Sequence, residues 1–222
     1  MSPASWKRSR RRCDEHGPPG PSPAPARHVS HACSCRTVAA GEGAGGPCCA
    51  AMMRQVALLR GVNLGKRKVI MSELRAICER AGFASVQTLL ASGNLVLDAR
   101  EKGAKLEATL EQLILDELGV KTDVFVRSGA ELEAVMAANP FKSFAKNQPT
   151  FLVVTFMRGP ASAAEMHAMR ATALLGEEVK QGENCLYIKF PKGQGPSKLK
   201  LPKVGTARNW NTVTKLAAMA AA

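Results

Sequence analysis

Histidine and tyrosine are nearly missing from this chain, with four and one among 222 residues. Three of the histidines fall in the first 52 residues, which leaves His167 alone in the remainder. It sits beside Met166, Met169 and Arg170 on a helical stretch and reads as structural, so no general base of the usual kind is in view. No apolar run approaches the roughly 18 residues that a membrane span needs. The basic stretch Lys7-Arg8-Ser9-Arg10-Arg11-Arg12 is followed by no apolar h-region, so no secretory signal is expected. Beyond residue 52 only Cys78 and Cys185 remain. They are read as packed, reduced thiols, which points to a reducing, cytoplasmic compartment.

What the chain does have is positive charge, +13 formally, with a pI of about 9.8. That suits phosphate ligands, nucleic acid or an anionic surface, and also an ordinary soluble protein. Composition breaks near Met52 and Met53. The first 52 residues hold 7 of the 13 prolines and 5 of the 7 cysteines. The run Gly17-Pro18-Pro19-Gly20-Pro21-Ser22-Pro23-Ala24-Pro25 cannot bury apolar area and is expected to be disordered. Arginine outnumbers lysine six to one before the break and lysine leads fourteen to ten after it. This shift suggests upstream sequence read in frame, with the start at Met52 or Met53. The tail's His28, His31, Cys33, Cys35, Cys48 and Cys49 match no zinc spacing, and the cysteines read as unstructured, reactive thiols. No metal or cofactor is expected.

The remainder carries +9. Its apolar pattern predicts a strand over 55–60 and a helix capped by Ser72, with Leu74, Ile77, Cys78 and Ala81 on one face. Strands follow over 86–90 and 95–98, joined through Ala91-Ser92-Gly93-Asn94. A helix over 104–118 and a strand over 122–127 complete β-α-β-β-α-β. That order is the split-βαβ, ferredoxin-like arrangement. A partial echo follows: a helix over 130–138, a strand over 151–156, a helix over 162–175, a hairpin over 178–190 and a last helix after Thr206. The fold class is therefore α+β, with two ferredoxin-like (split βαβ) halves, the second incomplete. The expected units are a tail over 1–52 and halves over 53–141 and 142–222, with the boundary at 142–149.

Gly61-Val62-Asn63-Leu64-Gly65-Lys66 looks like a phosphate loop but is a residue short, and Arg67 stands where a P-loop has Ser or Thr. A looser anion nest around Arg60, Lys66, Arg67 and Lys68 survives, against a solvated basic loop. An RNA-recognition motif would stack bases on aromatics of its two central strands. The strands over 56–60 and 95–98 hold none. Ser197-Lys198 could be written as a catalytic dyad, but adjacent side chains point apart. The richest stretch is GTARNWNTVTKL, 205–216. With Thr206 as N-cap, Arg208 becomes the second helical residue, sharing a polar face with Asn211, Thr212 and Lys215 while Trp210, Val213 and Ala217 pack. A cation in a first helical turn costs roughly 0.3–1 kcal/mol. Arg208 then needs either an internal carboxylate or an external anion.

These motifs carry a resemblance. Ala57-Leu58-Leu59-Arg60-Gly61-Val62-Asn63-Leu64-Gly65, Met71-Ser72-Glu73-Leu74, Ser92-Gly93-Asn94, Asn139-Pro140-Phe141, Ser197-Lys198-Leu199 and 206–216 together resemble an uncharacterised bacterial family known only as a domain of unknown function. The resemblance covers the chain from Met53 onward. It departs at Gly65-Lys66, where the family often has paired glycines. It implies two similar α+β subdomains and no established reaction. Arg60, Asn63, Ser92, Asn94, Ser197, Lys198, Arg208, Asn209 and Thr212 fall on the family's polar motif positions. Arg60, Asn63, Asn94 and Arg208 are expected to converge in space. The reading that results is binding of an anionic small molecule between the halves. A metal-independent enzyme using the same side chains and non-sequence-specific nucleic-acid binding stay open, as does the oligomeric state. No membrane partner is expected.

Overall fold

The stretch Met53–Leu59 (β1) is apolar on both faces from Val56 to Leu59 because there it lies inside a sheet that is covered on both sides. The computed structural model describes residues 51–63 and 69–222. The Pro-rich tail with its His and Cys residues lies outside the described residues, as do Lys66, Arg67 and Lys68 of the candidate nest. After β1 come α1 (Met71–Arg80), β2 (Ala84–Thr88), β3 (Asn94–Ala99), α2 (Gly103–Leu118) and β4 (Val124–Ser128). The first sheet has the order β2-β3-β1-β4, antiparallel throughout. That is the split-βαβ topology expected from the sequence.

Helices α3 (Gly129–Ala137) and α4 (Lys142–Asn147) follow, then β5 (Leu152–Phe156), α5 (Ala163–Thr172), β6 (Glu178–Gly182), β7 (Cys185–Lys189), β8 (Thr206–Asn209) and α6 (Trp210–Ala221). The second sheet, β6-β7-β5-β8, repeats the first, strand for strand. Its incompleteness lies between β7 and β8, where a loop replaces the counterpart of α2. Each unit ends in a strand followed directly by a helix, β4–α3 and β8–α6.

Alternation along the strands divides the core. Ala57, Leu59, Leu95, Leu97, Val124 and Val126 face α1 and α2. Val153, Met157, Leu186 and Ile188 pack with Met166 and Met169 of α5. Val56, Leu58, Val96 and Phe125 of the first sheet share an inner core with Val154, Phe156 and Tyr187 of the second. Leu132 and Val135 of α3 and Val213 and Leu216 of α6 belong to it as well. The Tyr187 hydroxyl donates to the Val135 carbonyl at 2.7 Å, which satisfies the one polar group this ring brings inside.

Two helix starts differ from the sequence reading. The N-cap of α1 is Ile70 with no side-chain cap, and Ser72 lies within the helix. Residues 206–209 form an edge strand, not the first turn of a helix. Pairing with β5 claims their backbone, Val154 opposite Arg208 and Phe156 opposite Thr206. The cap passes to Asn209, whose Oδ1 accepts from the Thr212 N–H at 2.9 Å. Arg208 therefore sits at no helix N-terminus, and the electrostatic cost assigned to it there does not arise.

Candidate functional site

Strand alternation turns Arg208 inward, where 7% of its surface remains exposed. Its Nε donates to the Asn94 Oδ1. Nη1 donates to the Thr206 hydroxyl at 2.7 Å and the Ala207 carbonyl at 2.8 Å. Nη2 reaches the carbonyls of Leu59, Ser92 and Gly93 at 2.7, 3.0 and 3.1 Å. Every acceptor is neutral. Among the described residues neither a carboxylate nor a vacant donor is found, so the choice between an internal carboxylate and an external anion does not describe this residue. Burial without a counter-charge pulls the guanidinium pKa down to about 10, which leaves it protonated at neutral pH.

Arg127 does the same in reverse. It occupies in β4 the register position that Arg208 holds in β8: Val56 pairs with Arg127, Val154 with Arg208. Each donates through Nη1 to the carbonyl just before it, Val126 or Ala207. Each sends Nη2 to the carbonyl at the end of the other unit's first strand, Met157 or Leu59. Each also reaches the turn before the other unit's third strand, at Asn184 or Gly93. The two sheets are thus pinned by exchanged arginines.

The next pair of equivalents is Arg60 and Arg158, and here the units part. Arg158 is held by Glu107 Oε2 at 2.9 Å and Glu111 Oε1 at 2.6 Å, both from α2. The same carboxylates accept from the edge-strand N–H groups of Val126 and Val124, each at 2.9 Å. The second unit has no such helix. Arg60 pairs with Asp123 at 2.9 Å, with both side chains part-exposed, and donates to the Lys203 carbonyl. Beside it opens a cleft of about 800 Å³. Leu59, Arg60, Gly61 and Val62 line it with Ser92, Lys121, Thr122 and Asp123, and Gly205–Arg208 close it. A second hollow of about 430 Å³ lies across Ser92, Ala207 and Arg208, with Phe151, Gln194 and Thr212 in its wall.

Of the expected site residues, Asn94, Ser92 and Arg208 meet directly, since Asn94 Nδ2 also donates to the Ser92 hydroxyl at 3.0 Å. Arg60 lies on the same cleft. Asn63, at φ 57°, donates to the Val69 and Ala91 carbonyls and accepts from the Val69 N–H, which ties its loop to the 91–94 turn. Asn209 and Thr212 serve the α6 cap, and Thr212 is buried. Ser197 and Lys198 line neither cavity. The Ser197 hydroxyl donates to Glu177, so it forms no dyad with Lys198, which is exposed. Lys121 escaped the sequence reading, because a lone exposed lysine before a strand carries no pattern. The equivalence of Arg60 with Arg158 was legible: Leu58-Leu59-Arg60-Gly61 returns as Phe156-Met157-Arg158-Gly159.

Comparison with known proteins bears on the fold and the family. The conserved bacterial protein SP0830 from Streptococcus pneumoniae superposes with a TM-score of 0.61 at 24% identity, over 78% of this chain and all of that one. This likeness extends to the fold. A search of curated proteins finds no match. Residues 52–187 match the family described as "Protein of unknown function (DUF1697)". Carrying that match over most of its length, the chain belongs to the DUF1697 family.

Proposed function

We propose that this protein binds a small anionic ligand, bearing phosphate or carboxylate, in the cleft at Arg60. One observation carries the reading: the cleft's exposed charges are Arg60, Lys121 and Asp123, and Asp123 is already paired with Arg60. Its volume falls within the range of about 300–1,000 Å³ usual for small-molecule sites. Among the described residues lining it there is one carboxylate and no histidine, so binding rather than turnover is what these side chains support. Two buried cysteines without a disulfide support placing the protein in the cytoplasm.

The test is thermal unfolding with increasing inorganic phosphate or citrate at constant ionic strength. A rise that grows with the logarithm of anion concentration above Kd is expected for the wild type, about 2.7 kcal/mol at a hundredfold excess over Kd. Arg60→Gln should lose it. Absence of any such rise with every anion would end the proposal. If nucleic acid were the partner, its affinity would fall steeply with salt, and a titration of a single-stranded oligonucleotide between 50 and 200 mM salt reads this out directly.

A further inference from the structure

We infer that the ligand of this cleft is a di- or tricarboxylate, held by Arg60 together with backbone N–H groups on the open edge of β8. The inference rests on the anion-binding reading above and names its ligand class.

The argument comes from the other unit. In β4 the N–H groups of Val124 and Val126 point away from β1 and meet the Glu111 and Glu107 carboxylates. The same two carboxylates hold Arg158. One guanidinium and two edge-strand donors thus form a receptor that binds a pair of carboxylates four residues apart on a helix. Register carries this arrangement to the second unit as far as Thr206, where the pairing of β8 ends. Ala57 pairs with Val126 and Thr155 with Ala207, so Ala207 N–H takes the outward place of Val126 N–H. Gly205, one residue before the paired strand, takes the place of Val124 in sequence order, and Arg60 that of Arg158. Among the described residues, no side chain accepts from either N–H. The donors persist where the helix that would answer them is missing.

The side chains agree. Val124 and Val126 fill the space under α2. Their counterparts are Gly205 and Ala207, so the same volume is left to the cleft. A Cβ at Gly205 would come 3.0 Å from the Phe156 carbonyl oxygen, and its φ is 146°, so glycine is required there. A single phosphate would answer Arg60 but not the spread of three donors. Two linked carboxylates answer all of them, in the geometry the protein already uses once within itself.

Calorimetric titration of the full chain with succinate, glutarate, citrate and inorganic phosphate tests this. The di- and tricarboxylates should bind at least tenfold more tightly than phosphate. Ala207→Pro removes one outward N–H without removing a ladder bond, and should weaken the best carboxylate at least tenfold with phosphate less affected. Because that variant can fail to fold, wild-type amide spectra serve as the second measurement: the Gly205 and Ala207 amide protons should shift downfield on saturation. Phosphate binding as tightly as the carboxylates would overturn the inference and leave the anion site standing. So would unmoved amide protons, or a folded Ala207→Pro of unchanged affinity. If no anion binds at all, both readings fall together.

Discussion

Arg208→Ala is the sharpest probe of how the two sheets hold together. The substitution removes a buried guanidinium and leaves its acceptors behind. Asn94 Oδ1 loses the Nε donor, and Asn94 is fully buried. Leu59 O keeps the Thr206 hydroxyl at 3.2 Å, and Gly93 O keeps the Leu59 N–H at 2.8 Å, so each loses one of two partners. Orphaning one buried acceptor costs roughly 1–3 kcal/mol, and each further neutral bond about 0.5–1.5. Against this stands relief of burying an unpaired cation, the effect that lowers its pKa. The net expectation is a loss of about 2–4 kcal/mol. Urea unfolding reads it as a fall in midpoint at constant m-value. Arg208→Met, which keeps the stem, should lose nearly as much, because the fork of donors carries the effect. Arg127→Ala should cost less, because Arg127 makes three bonds, all to carbonyls, and has no counterpart of the Asn94 and Thr206 contacts. Any stabilisation by sulfate should persist in the Arg208 variants. If Arg208→Ala proves as stable as the wild type and loses a sulfate effect, the guanidinium serves an external anion and the reasoning fails.

Three further expectations follow from single contacts. Gly93→Ala, at φ 76° and with its new Cβ 2.5 Å from Val62 Cγ2 and 2.9 Å from Leu59 Cβ, should unfold well below the wild-type temperature in a thermal melt. Burial pushes the Cys78 thiol up to about 12 and also raises Cys185. Mass mapping after iodoacetamide at pH 8 should find both unmodified in the native chain and modified in urea. The Ser197 hydroxyl holds the Glu177 carboxyl below its usual 4.5. That contribution is complete above pH 4.5 and fades as the pH falls below it, so Ser197→Ala should lower the melting temperature at pH 6 and converge on the wild type in stronger acid.

Much of the fold could be read from periodicity. Leu74, Ile77 and Cys78 on α1 and Leu106, Leu110 and Ile114 on α2 recur at helical spacing, and all are buried. The short strand β8 could not be read this way. Thr206-Ala207-Arg208-Asn209 offers two cap residues and no apolar alternation, and only the free edge of β5 selects the extended form. The meeting of Asn94 with Arg208 was signalled by the polar motifs, but its meaning was not. A guanidinium answered entirely by carbonyls, an amide and a hydroxyl leaves no charge pattern in a sequence. The exchange between Arg127 and Arg208 was hidden for another reason: the second unit lacks a helix, so equivalent residues drift out of constant spacing.

That exchange also sets an order of events during synthesis. The bond from Arg208 to the Leu59 carbonyl spans 149 positions of chain. At roughly 5–20 residues per second, Leu59 emerges about 7–30 seconds and Gly93 about 6–23 seconds before the side chain that completes them. The first sheet can pair its strands in that time, yet the end of β1 stays unfinished until Arg208 has emerged. Premature termination before Arg208 would therefore release a chain with bare carbonyls and a vacant edge on β5, the kind of surface that recruits another strand.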